Sequence, residues 1–443
     1  MEPSKENSIS VPQWFILVGL LLLLAGMLFG IIGSLQYVIP GFLKTYLSFE
    51  KIRPMHVSSV VFWIIFCAMG GTLFYLQERF GALFLPRLLT IQLTLFVVAV
   101  ILILGSYSLG IFGGREYWEF PPILALLIIG GWICYVVNVA GTIKTLKSQP
   151  VYVWMWITGA FGFLFTFSES YLWVFPYFQR HVVRDMTVQW KSYGSMVGCW
   201  NMLVYGLGLY LMEKINQDKS YAHSKIGFTL FFLGLFNLLF NWSHHIYTLP
   251  ITSYVKNVGY LVSMTELFIV GRIIYKWKES VTAAQKFRHL VPFRFLVAAD
   301  IWIFINLCLA ILMSIPALNL HTHGTHITVA HSMGTTIGIN TMLLLAVAFD
   351  ILNTRAEQVA TNAILRRSIW IVGISLFVFL TSLVLAGIHR SRWQMAEKAS
   401  SFGEMMNKMV PYFVVISVAG LLIFAGLAFV IAALLKIIWK KRS

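Results

Sequence analysis

The chain is 443 residues long, 58% apolar and 15% aromatic, with only 11% charged, against roughly 25% charged in a soluble domain. That composition excludes a soluble globular protein and points to helices packed within a ~30 Å hydrocarbon layer. The net charge of +16 is no sign of nucleic acid, because the Lys and Arg residues fall between apolar runs, where lipid headgroups and topology account for them.

Hydropathy predicts an all-α polytopic membrane bundle of about twelve spans. In chain order they lie near Trp14 to Gln36, Met55 to Gln77, Leu88 to Ile111, Pro122 to Ile143, Val151 to Val174 and Trp190 to Leu211. The second half continues with Gly227 to Tyr247, Tyr254 to Tyr275, Phe295 to Leu318, Thr325 to Ile351, Ile369 to Ile388 and Pro411 to Ile438. The first run lacks a small-residue cleavage site and is long enough to cross, so it reads as a retained helix. Residues 1–443 read as one integral-membrane domain with short tails at 1–13 and 439–443. Lys and Arg are concentrated on the side that holds both termini, most densely between Arg272 and Arg294, whereas the 318–325 connection has none. Both termini are therefore expected in the cytoplasm.

Cys67, Cys134, Cys199 and Cys308 all lie in apolar stretches without CxxC or CxxCH spacing, so no disulfide framework, zinc site or covalent haem is readable. The histidines are more informative. His56, His244, His245 and His331 fall within or at the mouths of three spans and, on this topology, at a similar depth near the outer face. Imidazoles in a membrane are costly unless they pair, line water or bind metal. Singly, each reads most simply as a hydrogen-bonded structural residue; together, with one vicinal pair, they point to metals or haems. Neighbours on a regular helix diverge by about 100°, so His244 and His245 reach one metal only where the backbone leaves the α-helix. An interfacial girdle of Phe240, Trp242 and hydrogen-bonding histidines is the alternative.

Four patches, in this order, carry a resemblance over nearly the whole chain. They are Gly33-Ser34-Leu35-Gln36-Tyr37-Val38 with Arg53-Pro54-Met55-His56; Arg115-Glu116-Tyr117-Trp118-Glu119; Trp242-Ser243-His244-His245; and Thr322-His323-Gly324-Thr325 leading to Ala330-His331. With them the chain resembles subunit I of the haem-copper oxidase superfamily, and within it the large subunit of bacterial nitric oxide reductase. The resemblance implies two haems b, with His56 an axial ligand of the low-spin haem and His331 the proximal ligand of the high-spin one. It assigns His244 and His245 to a non-haem metal, expected to be iron. Glu116 and Glu119 resemble loop carboxylates near the haem propionates, where the family has calcium and a proton intake, and Glu266 a carboxylate beside the two-metal centre. A bacterial inner-membrane location, lipid surroundings, a small gas substrate and a cytochrome c-type donor or small subunit at the outer face are implied as well.

Two departures stand out. The family's second haem histidine, two residues after the proximal one, is replaced here by Met333. Methionine ligates haem iron and raises its potential relative to a second histidine, so His56/Met333 ligation is expected, with a packing methionine as the alternative. On the sixth span the family's metal-binding histidine and glutamates fall on Tyr193, Val197 and Asn201. Gln189, Tyr193, Val197 and Asn201 share one face at i, i+4 spacing, making Tyr193 or Gln189 the candidate third metal ligand. Tyr193 and Glu266 are the candidate catalytic residues. The leading expectation is reduction of NO to N2O. A divergent oxygen reductase or NO-disproportionating enzyme, a haem electron-transfer subunit without turnover, and a proton-relaying transporter remain alternatives.

Overall fold

The computed structural model describes residues 9–264, 289–352, 363–398 and 400–440, and regular structure among them is helical. Eleven helices among the described residues are long and apolar enough to cross a membrane. In chain order they begin with α1 (Val11–Val38), α2 (Phe49–Phe80), α3 (Pro86–Ser108), α4 (Ala125–Ile143), α5 (Val151–Glu169), α6 (Val182–Asn216) and α7 (Lys225–Phe240). A shorter helix, α8, covers residues 253–264; the rest of the predicted eighth span, with Glu266, lies outside the described residues. Then come α9 (Leu290–Ser314), a short α10 (Pro316–Thr322), α11 (His326–Leu352), α12 (Ala363–Gln394) and α13 (Phe402–Lys440). The end of the bundle that holds the start of α1 is termed inner, following the charge distribution. The chain is a multi-pass membrane protein.

Several boundaries differ from the hydropathy reading, the start of α13 at Phe402 rather than Pro411 among them, and three have a readable cause. Helix α6 starts at Val182 rather than near Trp190, because its polar first turns are not left to solvent: Arg115 of the preceding outer loop pairs with Asp185 at 2.8 Å. Helix α9 stops at Ser314, before the predicted Leu318, since Pro316 brings no N–H to continue it and instead opens α10. Helix α2 starts at Phe49, so His56 sits about two turns inside the helix rather than at its mouth.

Helices α2 and α11 form the centre of the bundle. In their most apolar stretches 83% and 78% of residues are buried, against 24% to 61% elsewhere. Small residues set how closely neighbours approach. A Cβ added at Gly19, Gly26 or Gly30 of α1 would lie 3.0, 2.7 or 2.8 Å from Cys67, Val60 or His56 of α2. Gly194 and Gly198 of α6 likewise face Trp242 and Leu238 at 2.6 and 3.0 Å, which brings the segment after α7 against α6. At the inner end Lys214 of α6 pairs with Asp350 of α11 at 2.8 Å and Glu78 of α2 at 3.0 Å, and the Tyr75 hydroxyl donates to Asp350 at 3.0 Å.

Candidate cofactor site

Helix α11 is interrupted between Gly334 and Thr341 by a π-helical stretch, a distortion that recurs at functional sites. Its wider turn is held by the Thr341 hydroxyl, which donates to the Thr336 carbonyl five residues back at 2.8 Å, and which accepts from Trp63 Nε1 of α2 at 3.1 Å. Above this turn lies a small cavity of about 40 Å³. His56 and Met333 line it together, with Met27, Val60, Trp63, Thr336 and Thr341 among its other walls. Gly30 leaves the room in which the His56 ring lies. His56 Nδ1 is 2.7 Å from the Gly26 carbonyl. A carbonyl only accepts, so Nδ1 carries the proton and Nε2 keeps its lone pair. By its chemistry the donor set fits a six-coordinate haem: one imidazole with a fixed tautomer and one thioether line the same small cavity.

Residues two apart on a helix point about 200° from each other, so His331 faces away from Met333. Its imidazole, with those of His244 and His323, is within electrostatic reach of His245. The backbone under it is anchored: in the orientation that satisfies both its ends, the Asn306 amide donates to the His331 carbonyl at 3.1 Å and accepts from the Thr335 hydroxyl at 2.7 Å. Helix α7 ends at Phe240, and His244 and His245 lie in the 3-10 turn Asn241–Ile246, whose tighter winding spreads neighbours by about 120°. Their rings are 4.2 Å apart, and His245 stacks on Trp190 of α6 at 5.0 Å and 9°. Asn319 of α10 donates to the His244 carbonyl at 3.2 Å, and His323 follows one turn later. Burial holds the His323 imidazole below its ordinary range. Among the described residues no three His, Cys, Asp or Glu side chains converge to hold a metal. The vicinal pair is thus a two-imidazole donor set. Tyr193 is buried one ring further on, with Trp190 at 6.4 Å and Tyr117 at 5.7 Å.

The loop between α3 and α4 closes the outer side. Arg53, one turn before His56, reaches both loop carboxylates, Glu116 and Glu119, at 2.8 Å each. A guanidinium therefore stands between the two groups where the resemblance implies calcium, and a pair already bridged by a cation does not fit a second, doubly charged one. The other Glu119 oxygen is buried without a partner, and burial outweighs Arg53 in raising its carboxyl above the usual range. Gln189 is also drawn to this loop: its oxygen accepts from Arg115 at 3.3 Å, which directs it away from the histidine pair. Trp190, Met27 and His323 had no role in the sequence reading. Only His323 carried a signal, its place in the Thr322-His323-Gly324-Thr325 patch.

A family model described as cytochrome c and quinol oxidase polypeptide I matches residues 10–422. The cbb3-type cytochrome c oxidase subunit CcoN1 of Stutzerimonas stutzeri is 23% identical, over 96% of this chain and 94% of its own. A nitric oxide reductase subunit of the same organism is 22% identical over the same shares. A heme-copper terminal oxidase dimer solved by cryo-EM shares the fold, with a TM-score of 0.68 at 14% identity, covering 97% of this chain and 84% of that one.

Proposed function

Because this chain belongs to the cytochrome c and quinol oxidase polypeptide I family, a family of membrane oxidoreductases that bind haems and a metal, we propose that it is a two-haem reductase of a small gas, converting two NO, two electrons and two protons into N2O and water. The observation that carries this reading is the division of α11. Met333 shares a cavity with His56, and His331, two residues away on the helix, lies within electrostatic reach of His245. One helix thereby serves an electron-transfer site and a pocket for chemistry. His56 and Met333 would hold a low-spin haem b and His331 a high-spin one, while His244 and His245, with Tyr193 as the remaining candidate donor, would hold iron. These groups, when bound, supply one-electron transfer and a Lewis-acidic place for the gas.

The protein's own side chains do the positioning. The Gly26 carbonyl fixes the tautomer of His56, Asn306 holds the backbone of His331, and Trp190 and Asn319 orient the vicinal pair. Such outer partners keep a ligand's lone pair aimed and raise its basicity. The outer loop, bound through Arg53, covers the pocket. The donor is a cytochrome c-type protein at the outer face of a bacterial inner membrane, and both termini lie in the cytoplasm.

Oxygen reduction is the second reading. It is favoured by the α6 face, which presents Tyr193, Val197 and Asn201 and no carboxylate to the metal, and by the similarity to an oxidase subunit. Turnover of the purified, haem-loaded protein with a chemical electron donor separates the two. NO consumption with N2O release under anaerobic conditions supports the proposal; oxygen uptake without NO consumption overturns it in favour of the oxidase reading.

A further inference from the structure

Iron outside a haem is commonly held by three protein donors, and His244 with His245 supply two. Helix α6 does not complete the set. Tyr193 stands where the resemblance places a metal-binding histidine, but its ring lies against Tyr117 at 5.7 Å and its phenol is within electrostatic reach of Glu119 and Arg115 of the outer loop. The Gln189 oxygen is taken by Arg115. Val197 has no donor atom, and Asn201 lies about 16 Å deeper along α6 than Trp190, on which His245 stacks.

The approach comes instead from α10. The Asn319 side chain donates to the His244 carbonyl at 3.2 Å and to the Met313 carbonyl at 3.0 Å, which ties this short helix to the backbone of the vicinal pair. One turn on, the His323 amide donates to the Asn319 carbonyl at 2.8 Å, and the half-buried His323 imidazole is within electrostatic reach of His245. The nearby histidines are placed differently. His321 is exposed, and His326 turns to Phe413 of α13 at 5.5 Å.

The chain around His323 is fixed while its ring is not. Thr325 caps α11 by accepting from the Ile327 amide at 3.2 Å, and its hydroxyl donates to the Thr322 carbonyl at 2.7 Å. Between these anchors Gly324 takes φ +69, with open space where a Cβ would stand, a turn that glycine makes without strain. None of the described residues hydrogen-bonds the His323 ring, and burial favours its neutral form, whose lone pair can meet a metal. In the described geometry the three imidazoles do not converge, but a change of side-chain rotamer carries a histidine tip through several ångströms.

We propose that His323 is the third imidazole of the non-haem metal site, its side chain turning inward from the α10–α11 connection to meet the metal held by His244 and His245. The inference rests on the reading of that pair as a metal site, and it gives His323 the place left there to Tyr193.

Iron release from the purified, full-length, haem-loaded protein to the chelator ferrozine tests it. His323→Ala should lose its non-haem Fe(II) at a chelator concentration about 10-fold or more below that needed for the unmodified protein, the loss that even an outer partner of a ligand brings, with haem content unchanged. His321→Ala, at the exposed neighbour, should match the unmodified protein. Equal retention of iron in His323→Ala overturns the inference and leaves the metal reading standing. Unmodified protein that carries haem but no non-haem iron fails that reading, and the inference with it. Pulsed EPR of the non-haem Fe(II)–NO form, in unmodified protein made with isotopically labelled histidine, answers independently of the variants. Three coupled imidazoles at the non-haem iron support the inference; two overturn it in favour of a ligand from α6.

Discussion

Gly30→Ala is a small change with a large expected effect on one ligand. The new methyl would lie 2.8 Å from both Nδ1 and Cε1 of His56, closer than carbon tolerates against a ring that the Gly26 carbonyl also holds at 2.7 Å. Either α1 retreats from α2, where Gly26 is equally tight against Val60, or the imidazole turns away. Overpacking of this kind costs about 1–3 kcal/mol, and loss of the Gly26 bond about 1 kcal/mol. Alanine returns about 0.5–1 kcal/mol of helix propensity. The net, about 2 kcal/mol against the seated ring, lowers the population of the ligating orientation roughly 30-fold. Absorption and magnetic circular dichroism spectra of the purified variant should show the low-spin haem lost or converted to high spin, with the second haem retained. Gly105→Ala, where an added Cβ meets nothing within 4 Å, should leave both signals intact. A Gly30→Ala protein with an unaltered low-spin spectrum would refute the placement of His56 as a ligand.

Three further outcomes follow from the same geometry. Met333→His should lower the midpoint potential of the low-spin haem and remove any sulfur-to-iron charge-transfer band, since a second imidazole favours the oxidised iron; a redox titration with unchanged potentials argues against thioether ligation. Replacing His244 and His245 together by Ala should abolish gas turnover and the non-haem metal while haem content stays near normal, and retention of that metal in elemental analysis would misplace the site. Glu119 has a carboxyl raised by burial, so its stabilising contribution is complete below the ordinary carboxyl range and is lost as pH rises through the raised value. Glu119→Gln should flatten the pH dependence of the thermal unfolding midpoint in that window, and an unchanged slope would show that the titration lies elsewhere.

Much of the architecture was legible because apolar runs as long as a membrane is thick have no other use, and eleven of the twelve predicted spans are found among the described residues, with ends that shift by up to two or three turns. The opposite facing of His331 and Met333 was equally legible, as a consequence of helical pitch alone. What the pattern did not carry were contacts between distant parts of the chain. Gln189 belongs to the polar face of α6, yet its oxygen is taken by Arg115, 74 residues earlier. Glu116 and Glu119 look like a cation site until Arg53, from a different helix, is found between them. The stacking of Trp190 on His245 and the presence of Met27 beside His56 depend on how α6 meets α7 and α1 meets α2. That is decided by where Gly194, Gly198, Gly26 and Gly30 let backbones approach, and periodicity is blind to it.

Haem stoichiometry is the most direct test of the central claim, that His56 with Met333 and His331 on its own serve two separate cofactors in one chain. Pyridine haemochrome analysis of the purified protein against its amino-acid content should give two haems b per chain, both extracted by acidified acetone because no CxxCH is present to bind them covalently. A chain that carries no haem, a single haem, or haem that stays with the polypeptide after extraction would contradict the account.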